Sequence, residues 1–384
     1  MKNLRKPAII LISMLLLASV LLTGCQTPAQ LAAVTPIAAT DTVTIISPYA
    51  DVDWQEFGQY KTALHVHSKN SDGKNTLAEM IEDHYQKDYD ILAITDHNTL
   101  TPDWVSAKGG LTQERFDEIA AGVGRDGRGM LQIPYTNEQS RGNHSNSFFT
   151  DHNNKWPSKL DRNLKTIEDL GGISHINHPG RYTGGKSGGE KGENIYNDPK
   201  YINQYVDLFM KFQSCVGMEI INKKDGESAS DRILWDNILT QIIPQGRSVW
   251  GFSNDDTHEV GNTGFSYNMF VMPENTTENF KAAMISGSFY AVAMYAHREL
   301  GEGFKSDGNM PVIKDIKVDD KAVSITITAD FANKIEWIAD GFVIAEGETL
   351  NIMEHAGKIS SYVRANIMGY GGIAFTQPFE IAVK

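Results

Sequence analysis

The stretch YKTALHVHSKNSDGKNT, residues 60–76, decides how this chain is read. A short apolar run, TALHV, carries His65 and is followed at once by His67, and a spacing of two puts both imidazoles on one face of a strand. Asp72 follows in the loop behind them. Two imidazoles and a carboxylate at a strand end are either a polar surface loop or the mouth of a metal site. The rest of the chain has to choose between these.

Outward from this stretch the same unit recurs. LAEMIEDHYQKD leads to ILAIT, LTQERFDEIAAG to LQIPYT and SFFT, and RNLKTIEDL to GISHIN. YINQYVDLFMKF leads to GMEIIN, DRILWDNILTQII to SVWGFS, and YNMFVM precedes TENFKAAMIS. Repeated strand and helix units with short loops predict an α/β fold on parallel strands, a barrel or a doubly wound sheet, and about seven strands favour the barrel.

In a barrel, the loops at the C-terminal strand ends share one face. His65, His67, His97 after ILAITD, Glu138 after IPYTN, His144 ahead of SFFT, His178 in NHP, and Asp256 and His258 after VWGFSND then converge there, joined by Asp72. Zinc, manganese and iron accept imidazole nitrogen and carboxylate oxygen, and a carboxylate can bridge two ions. A multinuclear centre is expected, with the identity of the metal left open.

Other polar residues compete. Strand alternation sends His175 and His178 to opposite faces, and His178 abuts the strand end. The D-x-H spacing selects Asp256 over Asp255. His84 falls on the apolar stripe of a helix, and His152 and His355 read as solvated loop residues. Arg181, just beyond NHPG, is a candidate phosphate clamp or a loop salt bridge. Lys186, Lys223 and Lys224 are weaker candidates for substrate charge. Trp104 and Trp156 lie in loops where an aromatic could stack on a ring, and Ser68 and Asn98 stand where they could orient imidazoles.

Beyond Gly301, VIKDIKV, AVSITITA, KIEWIAD, SYVRANI and FEIAVK alternate like strands. Residues 311–384 therefore read as a small antiparallel β-sandwich after a linker over 301–310. The glycine-rich loop 180–194 reads as a lid beside the site.

The N-terminus addresses the chain. Lys2, Arg5 and Lys6 precede an apolar stretch from Ala8 to Leu22, too short for a comfortable membrane span but suited to a signal peptide over 1–24. It ends in Leu-Thr-Gly-Cys, which resembles a bacterial lipobox and makes Cys25 the lipidation site. That resemblance implies an exported protein, lipid-anchored to the cell envelope at the outer membrane or the outer face of the cell membrane. Residues 25–50, rich in Ala, Thr and Pro, read as anchor and flexible tether to a barrel over 51–300. Cys215 is the one other cysteine, so no disulfide remains once Cys25 is lipidated. A formal net charge of −13 argues against a nucleic-acid polymer as partner.

His65-x-His67-Ser68 with Ser71-Asp72-Gly73, Thr95-Asp96-His97-Asn98, a lone Glu138, His178-Pro179 and Asp256-x-His258 together resemble the polymerase and histidinol phosphatase (PHP) family, over roughly residues 60–300. The resemblance implies a distorted (β/α)7 barrel with two or three divalent ions and hydrolysis of a small phosphate ester, monoester or diester, by a hydroxide held between the ions. It implies one ion on His65, His67, Glu138 and Asp256, a second on Glu138, His144 and His178, and a third on Asp72, His97 and His258. The chain has no G-x-S-x-G elbow and no Walker loop, which agrees with a reaction needing no side-chain nucleophile. Two alternatives stay open: an amidohydrolase-like reaction on the same metals, and a non-catalytic surface lipoprotein that binds glycan or metal.

Overall fold

The computed structural model describes residues 30–154, 158–183 and 195–384. The expected signal peptide, Cys25, Trp156, Lys186 and most of the 180–194 loop lie outside them. No helix among the described residues is long and apolar enough to cross a membrane.

Strand β1 (Val43–Ile46) precedes the barrel, whose staves are β2 (Gly58–Ala63), β3 (Ile91–Leu92), β4 (Leu131–Gln132) continued by β5 (Asn137–Gln139), β6 (Ser145–Phe148), β7 (Ile173–Ile176), β8 (Cys215–Asn222) and β9 (Trp250–Asn254). Strands β2, β3 and β4 pair in parallel, as do β7, β8 and β9. The ring closes beyond the ladders, where His67 N–H donates to Thr257 O at 2.8 Å and Thr257 N–H to His65 O at 3.3 Å. One stave runs backwards, because β6 is antiparallel to both β5 and β7.

The connecting helices are α1 (Leu77–Gln86), α2 (Gln113–Ala120), α3 (Leu160–Asp169), α4 (Pro199–Lys211) and α5 (Asp231–Ile242). Helix α1 shows why they form where the sequence places them. Thr76 caps the Glu79 N–H while the Glu79 carboxylate accepts the Thr76 N–H, a reciprocal box that satisfies two free donors of the first turn. Leu77, Met80, Ile81, His84 and Tyr85 then form one buried stripe. His84 belongs to that stripe, its Nδ1 2.7 Å from Met80 O.

After β10 (Ser266–Met272), α6 (Thr277–Ser286) and β11 (Phe289–Ala293) come β12 (Val312–Asp319), β13 (Ser324–Asp330), β14 (Lys334–Ala339), β15 (Phe342–Glu346), β16 (Thr349–Asn351), β17 (Tyr362–Met368), β18 (Ile373–Phe375) and β19 (Phe379–Val383). They are antiparallel, as expected, and part of them joins the barrel's own sheet. Strand β18 pairs with β11, β11 with β10, and β10 with the barrel strand β2, so one sheet runs from the C-terminus into the barrel. Tyr362, Ile373 and Phe375 share a core with Trp235 and Ile238 of α5. Asp236 of α5 takes a two-pronged ion pair from Arg364 of β17, both contacts at 2.7 Å and both side chains buried. The expected linker is also bonded in place, Asp307 N–H donating to Tyr370 O at 2.8 Å and the Ser306 hydroxyl to Gly371 O at 2.7 Å.

The expected tether over 25–50 is corrected as well for its described part. Strand β1 pairs antiparallel with β19, and Ile37 N–H donates to Ile359 O at 2.8 Å. The buried Tyr49 hydroxyl donates to Phe289 O and accepts from Gln377 N–H, each at 2.9 Å. Composition suggested a loose chain because the partners of this segment lie at the far end of the sequence.

Candidate metal centre

The strand ends bend the chain sharply where the polar residues sit. Asn98, His178, Lys223 and Asp256 have φ of 46°, 26°, 56° and 47°, and each follows a barrel strand or its extension. Left-handed backbone at non-glycine residues costs ~1–3 kcal/mol each and persists where surrounding structure enforces it. Here it turns His178 and Asp256 towards one axis.

All nine sequence-derived ligand candidates meet at that axis. Their donor atoms fall into four overlapping groups, each within 4.8 Å: His67, Asp72, His97 and His258; His65, His67 and Asp256; His65, Glu138 and His178; and His97, Glu138 and His144. His144 arrives by an unexpected route. It precedes β6, and because that stave is reversed its N-terminal end lies on the face where the other strands end. The partition also differs from the expected one: His178 groups with His65, His144 with His97, and His67 reaches the Asp72 set.

His65 Nε2 lies 3.3 Å from both Glu138 Oε1 and Asp256 Oδ1, and His67 Nε2 lies 3.1 Å from Asp256 Oδ1. His97 Nδ1 lies 2.5 Å from Glu138 Oε2 and His144 Nδ1 2.9 Å from Glu138 Oε1. Ligands ~2.1 Å from a shared tetrahedral ion stand about 3.4 Å apart, so most of these separations suit cation binding. The His65 and His67 Nε2 atoms and Glu138 Oε2 are buried without a properly directed hydrogen bond. Buried polar atoms are rarely left so, and a divalent ion fits all three.

The electrostatics agree with a charged centre. Burial alone would push the Glu138 carboxyl up, but His65, His144 and His178 hold it well below its usual range. Asp256 is likewise held low against burial by His65 and His67. Burial lowers the His144 imidazole, while the carboxylates around His65 outweigh burial and raise it.

The sequence reading missed Glu219, buried in mid-strand in β8. Its Oε1 is 2.7 Å from His65 Nδ1 and accepts from the Asn254 amide at 2.9 Å, while Oε2 accepts the His178 N–H at 2.8 Å and the Asn222 amide at 2.9 Å. It therefore fixes which nitrogen of His65 faces the centre. Asn177 does a similar service for Glu138, donating to Oε1 at 2.6 Å. Replacing Glu219 with glutamine should weaken metal binding or turnover about 10–100-fold, the usual cost of losing a partner behind a ligand, and should also lower the melting temperature, because the amide sets a donor against groups that now donate to the carboxylate. Metal titration of the variant checks this.

The other candidates separate cleanly. His175 stacks on Phe252 with ring centroids 4.6 Å apart, and burial lowers its pKa to about 4. Asp255 accepts the N–H groups of Phe265 and Ser266 and serves the loop. Ser68 and Asn98 do not orient imidazoles: Ser68 bonds Asp96, and Asn98 bonds Ser140. Trp104 is fully buried, and His152 and His355 are half-buried rather than solvated. Arg181 Nε is 2.7 Å from Glu227 Oε2, and both line a cavity that opens onto Asp256 and His258.

No family model matches the chain. A 76-residue stretch is 38% identical to the DNA polymerase/3'-5' exonuclease PolX of Bacillus subtilis (strain 168), covering 20% of this chain and 13% of that protein. Among solved structures, the chain is similar to a two-domain protein from Bacteroides vulgatus ATCC 8482 containing a predicted PHP-like metal-dependent phosphoesterase, at 14% identity and a TM-score of 0.45 over 92% of this chain and 91% of that one. It is also similar to the lesion-specific endonuclease PfuEndoQ of Pyrococcus furiosus, at 15% identity and a TM-score of 0.36 over 59% and 56%. An amidohydrolase from Chromobacterium violaceum gives 17% identity and a TM-score of 0.32 over 52% and 88%.

Proposed function

We propose that this protein is a metal-dependent phosphoesterase of the PHP type. The observation that carries the reading is the convergence of nine imidazoles and carboxylates into overlapping groups that share Glu138, His65, His67 and His97. The local likeness to PolX supports it, as does the order of the ligand motifs along the chain.

The four groups would hold two or three divalent ions, with zinc, manganese and iron all compatible with their donors. Ions held there would supply Lewis acidity, drawing charge from phosphoryl oxygens and making water acidic enough to attack near neutral pH. The chain's own part is to fix this arrangement before substrate arrives. Glu138 is the shared carboxylate, Glu219 and Asn177 hold their partners in one orientation, and Lys223, 3.4 Å from Asp256, places a positive charge at the rim. A phosphate ester suits that rim better than a neutral amide, because its charge persists from substrate to product. The adjoining cavity of about 580 Å³ and the net charge of −13 favour a small ester over a polynucleotide.

Export and lipid anchoring through Cys25 complete the proposal.

Hydrolysis of p-nitrophenyl phosphate and its bis ester, before and after chelation, tests the function. Turnover of either compound that falls at least a hundredfold with chelator and returns with one of the three metals is expected. Turnover of an amide or carboxylic ester alone would move the chain to the amidohydrolase reading.

A further inference from the structure

The cavity beside the metal centre has a chemistry that the nine ligand candidates do not explain. It opens onto Asp256 and His258 and is walled by Arg181, Lys223, Lys224 and Phe265. Its three cations differ in what already occupies them. Arg181 is tied to Glu227, and Lys223 Nζ lies 3.4 Å from Asp256 Oδ2. Lys224 has no carboxylate partner among the described residues, and its Nζ stands 4.1 Å from the centroid of the Phe265 ring.

This lysine pair is built into the fold rather than hung on a free loop. Lys223 and Asp225, on either side of Lys224, have φ of 56° and 62°. The buried Asp225 carboxylate holds the turn, taking two bonds of 2.9 Å from Arg232 and one of 2.7 Å from the His297 N–H. The carbonyl of Lys224 lies 3.1 Å from His297 Nε2. A strained turn pinned by a buried ion pair therefore holds an exposed ammonium with no carboxylate partner over the Phe265 ring at the cavity wall.

Resting on the phosphoesterase reading, we propose that this cavity takes the leaving group of a small phosphate ester, and that the leaving group carries a second anionic group, carboxylate or phosphate, paired with Lys224. The apolar part of the same group lies against Phe265. Glu227 and Asp256 offset Arg181 and Lys223, so a cationic leaving group would meet the one uncompensated charge of Lys224, and a neutral one would gain nothing from that exposed ammonium. An anion gains a charge-assisted hydrogen bond from it.

The test uses ligands that cannot be hydrolysed, so it reads the subsite apart from turnover. Binding of phenylphosphonate, 4-carboxyphenylphosphonate and 1,4-phenylenediphosphonate to the full chain in detergent is measured by calorimetry. At least one ligand with the second anion should bind about tenfold more tightly than phenylphosphonate, and the better of the two identifies the anion. In Lys224→Gln that ratio should fall to about one, and in Lys224→Glu below one. The exposed Lys314→Gln serves as a control that keeps it. Taking a ratio within each variant cancels any general loss of binding. A wild-type ratio near one, a ratio that survives Lys224→Gln, or no binding of any ligand overturns the proposal. Turnover of phosphate esters with a ratio of one would sink the subsite alone, whereas a tenfold ratio without turnover would sink the phosphoesterase reading.

Discussion

Glu138→Gln is expected to reduce hydrolysis of p-nitrophenyl phosphate by about 10²–10³-fold, the scale of loss seen when a group stabilising transition-state charge is removed. Glu138 takes part in two of the four donor groups, and its oxygens approach His65, His97 and His144 at 3.3, 2.5 and 2.9 Å. Glutamine keeps the shape but replaces one oxygen with a donor that cannot ligate a cation, and it removes the charge that offsets the bound ions. Two sites would be weakened by one substitution. The same change at an exposed carboxylate such as Glu278 should leave the rate within about twofold. Steady-state rates with added metal, alongside circular dichroism to establish folding, make the measurement. A rate within tenfold of wild type would mean that Glu138 is not shared between ions.

Deleting residues 311–384 should abolish the folded barrel rather than trim an appendage. The deletion strips β18 from β11, undoing the pairing of Ala291 with Phe375 and Ala293 with Ile373. It also uncovers Trp235 and Ile238 of α5 and leaves buried Asp236 without Arg364. Each large apolar side chain lost from the core costs about 1.5–3 kcal/mol, and stranding one member of a buried ion pair about 3–5 kcal/mol. Several such losses exceed the ~5–15 kcal/mol that a whole domain holds in reserve. The truncated chain should be insoluble or lack a cooperative thermal transition. A soluble, cooperatively melting fragment 30–310 would restore the picture of two separate domains.

The difference between what the sequence shows and what it hides follows from the range of each interaction. Helix α1 is legible because its capping box and apolar stripe are local, lying within residues 76–85. The site is legible because a parallel barrel gathers strand ends whatever its detailed register, so His65, His97, His178 and Asp256 can be placed together without knowing any pairing. The merging of the C-terminal strands with the barrel depends on β11 meeting β18 some eighty positions later, and β1 depends on β19 at the opposite end of the chain. Alternation marks a strand but does not name its neighbour. Glu219 was missed for a different reason. In GMEIIN it passes for the polar half of an alternating strand, yet β8 lies between two parallel neighbours with every residue buried. A carboxylate in such a strand needs a partner, and that rule alone could have pointed to it.

The number of divalent ions per chain in the purified protein, measured by inductively coupled plasma mass spectrometry after removal of loosely bound metal, tests the metal centre itself. Two or three equivalents of zinc, manganese or iron in the wild type, falling by at least one in Glu138→Gln, is the predicted result. A wild-type chain that is folded and carries no divalent metal, even after dialysis against all three, would mean that the nine residues do not form a metal centre.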